Sequence, residues 1–280
     1  MIHPESDSLC PRNGAMALSH LTCSEVEHEV ARHPALLVPL GGCEPWARCG
    51  ALGVASACAE AVAETLSSRN RILLAPTLPY GCSTSYGAFE GSSGLKPRTF
   101  ENLLCETIRL WRGQGFRLFI VVDGLFDSFA AVEGAVRRLR KDTPKASIEY
   151  FSLQRNERIR AFMNTRFPGK EPGRAESGML SLAAFIDPTL VRAHDSLSGA
   201  HGKSRQAPPD GETFRRWKKR GGDPQQFRKL FPAASTCEQP GRYDADFGRE
   251  LFGFILRLIE ESIAPFLAEL DPAAGAGRSC

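Results

Sequence analysis

Between residues 35 and 153 the chain repeats one cycle. An apolar run too short for a helix is broken by glycine or proline, and a longer segment follows with apolar residues every three to four positions. The apolar runs are ALLVPLG (35–41), RILLAPTLPYG (71–81, with its exit loop), FRLFIVVDG (116–124) and SIEYFSL (147–153). The periodic segments between them are 51–70, 97–115 and 127–142. Continuous apolar runs fit strands buried on both faces. Strands separated by helices pair in parallel through right-handed crossovers. The predicted fold class is therefore α/β, a three-layer α/β/α arrangement with a mostly parallel central sheet. Its pocket is expected where the carboxyl ends of the strands open into loops 41–50, 80–94 and 123–128.

The flanks are read more coarsely. Residues 1–34 are expected to be a tail, poorly ordered to about position 22, followed by a short helix at 24–33 with Ser24 as its cap. The main domain is assigned to 35–270 and a C-terminal tail to 271–280. Inside the domain, 172–192 reads as a Gly-rich approach and a short helix stopping at Pro188, and 244–270 as an amphipathic helix bending near Pro265. Residues 193–240 break the pattern with Gly, Pro, Lys and Arg, and are expected to be a basic, flexible excursion. Its FRRWKKRGG stretch (214–222) mixes aromatic and basic residues, but a solvated loop accounts for it.

A net charge of +3 on 280 residues is too mild to argue for nucleic acid. No apolar run reaches the roughly 18 residues of a membrane span, and the first residues lack a signal pattern. The expected location is the cytoplasm. Nine cysteines, without a CxxC pair, suggest neither a zinc ribbon nor a disulfide scaffold. Most read as small buried hydrophobes, Cys58 and Cys105 above all.

The predicted pocket loops hold the residues that could carry chemistry. The first delivers Cys43, Glu44, Trp46, Arg48 and Cys49, the second Tyr80, Cys82 and Tyr86, and the third Asp123, Phe126 and Asp127. None contains histidine: the six of this chain are at positions 3, 20, 28, 33, 194 and 201.

The order of these loops resembles the creatininase (creatinine amidohydrolase) family. Its first signature, Pro-x-Gly-Ser-x-Glu-Gln-His-Gly-Pro-His-Leu-Pro-Leu-x-Thr-Asp, is matched at 39–55 by Pro39, Gly41, Glu44, Leu52 and Gly53. Its second, Pro-Tyr-Gly-x-Ser-x-Glu-His, is matched by Pro79, Tyr80, Gly81 and Ser83, with Phe89 and Gly91 beyond. Further matches are PRTF (97–100), GQGFRLFIVV (113–122), ESGMLS (176–181), PTLV (188–191) and GRYDADFGREL (241–251). The likeness spans roughly 35–270 and implies a creatininase-like fold, action on a carbon–nitrogen bond and a homo-oligomer.

The resemblance also implies which residues stand where the family holds two metal ions. Glu44 keeps the first ligand position, and Glu176 matches a further conserved acid. Trp46, Ala55 and Leu125 fall at the next ligand positions, while Cys49 and Tyr86 replace pocket histidines. Trp, Ala and Leu cannot ligate a metal, so no metal and no cofactor are expected.

The remaining chemistry divides into alternatives. Glu44 and Glu176 form an acid–base couple, or Glu44 binds its own loop and Glu176 caps a helix. Cys49 is a nucleophile lowered by Arg48, with Cys43 and Cys82 nearby, or all three are inert thiols. Asp123 and Asp127 bind an amine or guanidinium, with Asp127 also suited to capping a helix from Ser128. Trp46, Tyr80, Tyr86 and Phe126 form an aromatic wall for a larger or cationic small-molecule substrate, or fill an emptied site. The functional expectation is amide or lactam hydrolysis, or the reverse cyclisation. The alternative is an inactive member that binds a ligand or a partner subunit.

Overall fold

The computed structural model describes residues 14–46, 49–142, 146–167, 173–192, 222–231 and 242–270. One sheet is built from β1 (Met16–Ala17), β2 (Ala35–Leu40), β3 (Leu73–Leu74), β4 (Leu118–Asp123) and β5 (Ser147–Ser152). The order across it is β1-β3-β2-β4-β5, and every neighbouring pair is parallel. Helices α1 (Cys23–Arg32), α2 (Val54–Asn70), α3 (Pro97–Gly113), α4 (Phe129–Asp142), α5 (Glu157–Arg166), α6 (Gly173–Ile186), α7 (Pro224–Leu230) and α8 (Ala245–Leu270) complete the described elements. No helix among the described residues is long and apolar enough to cross a membrane.

Side chains alternate across a strand, so the central strands feed two cores. Leu37, Leu118, Ile120 and Val122 pack with residues of α2, α5, α6 and α8. Leu36, Val38, Leu40, Phe119 and Val121 pack with α1, α3 and α4. The three-layer α/β/α architecture follows from that division. β2 and β4 are buried at every residue, which is why neither alternates in sequence.

Several local expectations change. The helix at the N-terminus is capped by Thr22, not Ser24: Thr22 and Glu25 form a reciprocal capping box. Met16–Ala17, read as tail, is an edge strand, paired with Leu73–Leu74 and tied by Met16 N donating to Ser67 Oγ at 3.0 Å. The strand expected at 71–81 narrows to Leu73–Leu74, since Pro76 and Pro79 remove ladder donors; one further bridge joins Leu78 to Leu40. Helix α5 was not foreseen; Asn156 caps it by accepting from Arg158 N and Ile159 N. Helix α8 runs through Pro265 to Leu270.

The excursion at 193–240 also carries structure. Asp223 caps α7 and Pro224 occupies its first turn. Phe227 and Phe231 pack there against Tyr86 and Phe89, and Arg228 donates to Glu90 Oε1 at 2.7 Å. Residues 193–221 and 232–240, including most of the basic stretch, lie outside the described residues.

The loops at the carboxyl ends of β2 and β4 are drawn against α2 by close backbone contacts. A Cβ on Gly41 would overlap Ser56, and one on Gly124 would overlap the Ala55 carbonyl. Glycine at those two positions lets both loops converge over the start of α2.

Candidate functional site

A cavity of about 40 Å³ opens where these loops meet, lined by Glu44, Pro45, Trp46, Ser85, Tyr86, Phe126, Asp127, Gln154, Glu176 and Phe227. Each comes from a different construction. Glu44 leaves the turn after β2, its N–H donating to Leu52 O at 3.1 Å. Ser85 and Tyr86 lie on a single 3-10 turn. Phe126 and Asp127 follow β4, Gln154 follows β5, and Glu176 stands in the first turn of α6. Phe227 of α7 covers the aromatic side, its ring 5.3 Å from Tyr86 at 84°.

Two serine–carboxylate contacts organise the polar part. Ser83 Oγ donates to Glu44 Oε2, and Ser85 Oγ donates to Asp127 Oδ2 at 2.5 Å. Burial raises the Glu44 carboxyl to about 8, against the lowering effect of the Ser83 bond, and the charges of Asp127 and Asp123 add to the rise. At neutral pH Glu44 is therefore mainly protonated. Tyr86 is driven well above the usual tyrosine range by burial and then by Glu44, Asp127 and Glu176, so its hydroxyl remains a donor. Asp127 and Glu176 line the same cavity as Glu44, a set of carboxyl groups suited to general acid–base work.

Of the residues singled out in the sequence, Glu44, Trp46, Tyr86, Phe126, Asp127 and Glu176 come together here. Others do not. Asp123, expected as a ligand for an amine, is fully buried and accepts from Leu125 N (2.9 Å), Ser128 Oγ (2.5 Å) and Tyr150 OH (2.8 Å). Burial raises it to about 6 in spite of those bonds; it holds its loop together. The helix that follows, α4, begins at Phe129 rather than Ser128, and Asp127 accepts from Ser85 Oγ.

The thiol readings also shift. Cys49 is 1% exposed and points Sγ at Trp46 O, 3.8 Å away. Burial first and Glu176 second push it up to about 11, which opposes the thiolate a nucleophile needs. Cys82 belongs to the core on the opposite face of the sheet. Cys43 is half-buried, outside the cavity lining, its carbonyl accepting from Ser93 N at 2.9 Å. Tyr80 is 56% exposed, on the surface rather than in the aromatic wall. Arg48 lies outside the described residues.

Sequence reasoning passed over Ser85, Gln154 and Phe227. Ser85 was legible, standing where the second family signature has Glu. Gln154, 3% exposed with Nε2 donating to Gly124 O at 2.7 Å, offered only its place just beyond a strand. Phe227 offered the Asp-Pro start of its helix.

The donor set does not fit a dinuclear zinc or manganese centre. Trp46, Cys49, Ala55 and Leu125, which the resemblance places at ligand or pocket-histidine positions, all belong to one apolar cluster and are 4%, 1%, 0% and 0% exposed. The Leu125 side chain lies where a Cβ on Gly42 would crowd it at 3.1 Å and one on Gly81 would overlap it. Among the described residues no group of three or more His, Cys, Asp or Glu is placed to hold a metal ion.

Comparison with known proteins gives a consistent family. The model of the creatininase family, described as creatinine amidohydrolase, matches residues 19–263. Among curated proteins no sequence matches. Among solved structures, a tryptophan-to-alanine mutant of creatininase superposes with a TM-score of 0.66 at 19% identity, covering 90% of this chain and 99% of that one. A Zn-Zn type glutamate-to-glutamine mutant of creatininase gives 0.65 at 19%, covering 93% and 100%. A structure described as creatininase Mn gives 0.63 at 20%, covering 92% and 99%. At these identities the superpositions show the fold alone.

Proposed function

The chain belongs to the creatininase (creatinine amidohydrolase) family, and from that premise we propose that it breaks or forms a carbon–nitrogen bond of a small amide or lactam by acid–base chemistry without a metal pair. The observation that supports this is the convergence of Glu44, Asp127 and Glu176, with the Tyr86 hydroxyl, on one small cavity.

In the hydrolytic direction a water oxygen bonds to the carbonyl carbon and gives one proton to the Asp127 carboxylate. The carbon–nitrogen bond breaks as Glu44 passes its proton to the departing nitrogen. Proton exchange with solvent restores both groups. In the direction of ring closure the two roles exchange and water leaves. Glu176 adds a second negative charge that favours a substrate carrying N–H donors. The Cys49 thiol takes no part, because its burial keeps it protonated. The reading takes a small molecule as the substrate and a homo-oligomer as the assembly, with no membrane or nucleic-acid partner.

The experiment is turnover of a panel of small amides and lactams by the wild type and by Glu44→Gln, with metal content measured on the same samples. General acid–base catalysis contributes on the order of 10²–10⁴ in rate, so Glu44→Gln is expected to lose at least about a hundredfold while keeping its fold. Full activity in that variant, or activity that tracks stoichiometric zinc or manganese, would overturn the proposal.

One observation favours a second reading. About 40 Å³ is room for roughly three waters, and Trp46, Leu125 and Ala55 fill much of the surrounding space. A catalytically inactive member that binds a ligand or a partner subunit fits that filling. Ligand binding without turnover by any panel member would favour it.

A further inference from the structure

Adding water to an amide carbonyl drives an electron pair onto the carbonyl oxygen, and a site that does this without a metal needs a hydrogen-bond donor at that oxygen. The side chains lining the cavity offer few. The Glu44 proton goes to the departing nitrogen in the reaction proposed above. Ser85 Oγ donates to Asp127 Oδ2 at 2.5 Å, and Gln154 Nε2 donates to Gly124 O at 2.7 Å. Trp46 Nε1 is closed off from solvent. The Tyr86 hydroxyl remains.

Tyr86 is half-buried and lines the cavity. Its ring packs edge-on against Phe89 and Phe227, at centroid distances of 6.1 and 5.3 Å. Its backbone carbonyl, at the end of the 3-10 turn Thr84–Tyr86, accepts from Phe89 N at 2.9 Å. The charges that act on its hydroxyl are those of Glu44, Asp127 and Glu176, three carboxyls that line the same cavity. The ring is therefore anchored before a substrate enters, with its O–H in the field of the cavity acids.

Two donors then differ in their hold on the proton. Glu44, raised to about 8, can give its proton up. Tyr86, held well above the tyrosine range by burial and then by those acids, cannot. It donates a hydrogen bond and keeps its proton, as an oxyanion donor must.

Resting on the acid–base reading of the cavity, we propose that Tyr86 is a catalytic residue whose hydroxyl donates to the carbonyl oxygen of the bound amide or lactam and stabilises the charge that gathers there. As the water oxygen bonds to the carbonyl carbon and a water proton passes to Asp127, the carbonyl π pair becomes a lone pair on the oxygen that accepts from Tyr86. That pair re-forms the carbonyl as the carbon–nitrogen bond breaks and Glu44 protonates the nitrogen. Glu44 is already neutral and Asp127 has just become so, hence two of the three carboxyls that act on Tyr86 carry no charge while the oxyanion exists.

Tyr86→Phe keeps the ring and removes the donor. On the panel amide or lactam that the wild type turns over fastest, the variant is expected to lose at least about a hundredfold in kcat, with KM little changed. A second measurement needs no turnover: the full chain carrying ¹³Cζ-labelled tyrosine is titrated with formamide, an amide small enough for a cavity of this size. The chain has four tyrosines, and Tyr86→Phe identifies the signal of interest. Formamide is expected to shift that signal saturably and to leave the other three in place. An unchanged kcat in Tyr86→Phe, a loss confined to KM, or a Tyr86 signal indifferent to formamide overturns the assignment. Should that variant fold poorly, the wild-type titration still decides, its signals assigned with Tyr80→Phe, Tyr150→Phe and Tyr243→Phe. The two proposals fail separately. Full activity in Glu44→Gln with kcat lost in Tyr86→Phe removes Glu44 as the proton donor and leaves Tyr86 in its role. Full kcat in Tyr86→Phe with turnover lost in Glu44→Gln removes this assignment alone.

Discussion

The loops that leave β2 and β4 each bury a carboxylate, and they treat it differently. Asp123, at the end of β4, receives three donors from its own and the neighbouring strand's surroundings and is held at about 6. Glu44, in the loop after β2, receives one side-chain donor from Ser83, lines the cavity and is held at about 8. Both are buried, so burial alone does not separate the acid that lines the cavity from the one that does not. The number of donors does. A carboxylate with three of its roughly four acceptor sites taken has little left to offer a substrate, whereas Glu44, with one side-chain donor, keeps its proton and lines the cavity.

That contrast breaks if the two acids respond alike to removal. Asp123→Ala takes an acceptor from the Leu125 N–H and from the Ser128 and Tyr150 hydroxyls. Ser128 Oγ keeps Leu125 O as an acceptor at 3.5 Å, so at about 1–3 kcal/mol for each of the other two groups the change is expected to cost about 2–6 kcal/mol in chemical denaturation. Glu44→Gln replaces an already protonated group with a neutral one of the same shape, and is expected to change stability by less than about 1 kcal/mol at pH 7. Equal losses would end the distinction. Leu125→Ala, in the apolar part of the same loop as Asp123, is expected to cost about 2–4 kcal/mol through the cavity it leaves, measured in the same way.

Titration sharpens the comparison. Both acids are raised in the folded state above their ordinary values, Glu44 from 4.5 to about 8 and Asp123 from 3.8 to about 6. Each binds a proton more tightly when folded, so its contribution to stability is complete below the ordinary value and is lost as pH rises through the folded one. Stability should fall between pH 3.8 and about 8, Asp123 acting from 3.8 to about 6 and Glu44 from 4.5 to about 8, with Glu44 contributing a slope approaching about 1.4 kcal/mol per pH unit. Denaturation midpoints across that range measure it. Glu44→Gln should flatten the part between 6 and 8 while leaving the Asp123 part below it. An unchanged slope in that variant would show that Glu44 does not carry the proton. The smallest effect is expected at the aromatic cover: Arg228→Ala loses an exposed pair with Glu90 and should leave global stability nearly unchanged, read as at most a small rise in proteolysis near α7.

The sheet and its main helices were legible because their signals are local. A run such as LFIVVD, buried at every residue, needs no knowledge of its partners to be recognised. What was missed depends on distant or backbone partners. β1 is two residues long and is defined by pairing with Leu73–Leu74, for which its side chains give no pattern. α5 buries only Ile159 and Met163, too little to create a periodic face. α7 had its Asp223-Pro224 start in plain view, but the surrounding Gly, Lys and Arg composition outweighed it. Within the cavity lining, Glu44, Trp46, Tyr86, Phe126 and Asp127 were singled out from residue type and loop position, and Glu176 from the family resemblance. Asp123 was misread because the hydroxyl of Tyr150, 27 positions away, could not be anticipated. Cys49 stood between nucleophile and inert thiol because its burial against Trp46 is a property of the turn's geometry.

The packing of Trp46, Ala55 and Leu125 has a consequence for the history of such a chain. Ala55 touches Gly124 across the base of the loops, and Leu125 fills the space between Gly42 and Gly81. Restoring a histidine or aspartate at any one of these positions would set a polar group among apolar neighbours with no metal yet able to bind it. Each such step costs on the order of 1–3 kcal/mol, out of a total stability of about 5–15 kcal/mol. Several must be taken before a first ion can compensate. Selection acting one substitution at a time thus meets a barrier: a metal pair comes to this pocket only if several changes arrive together.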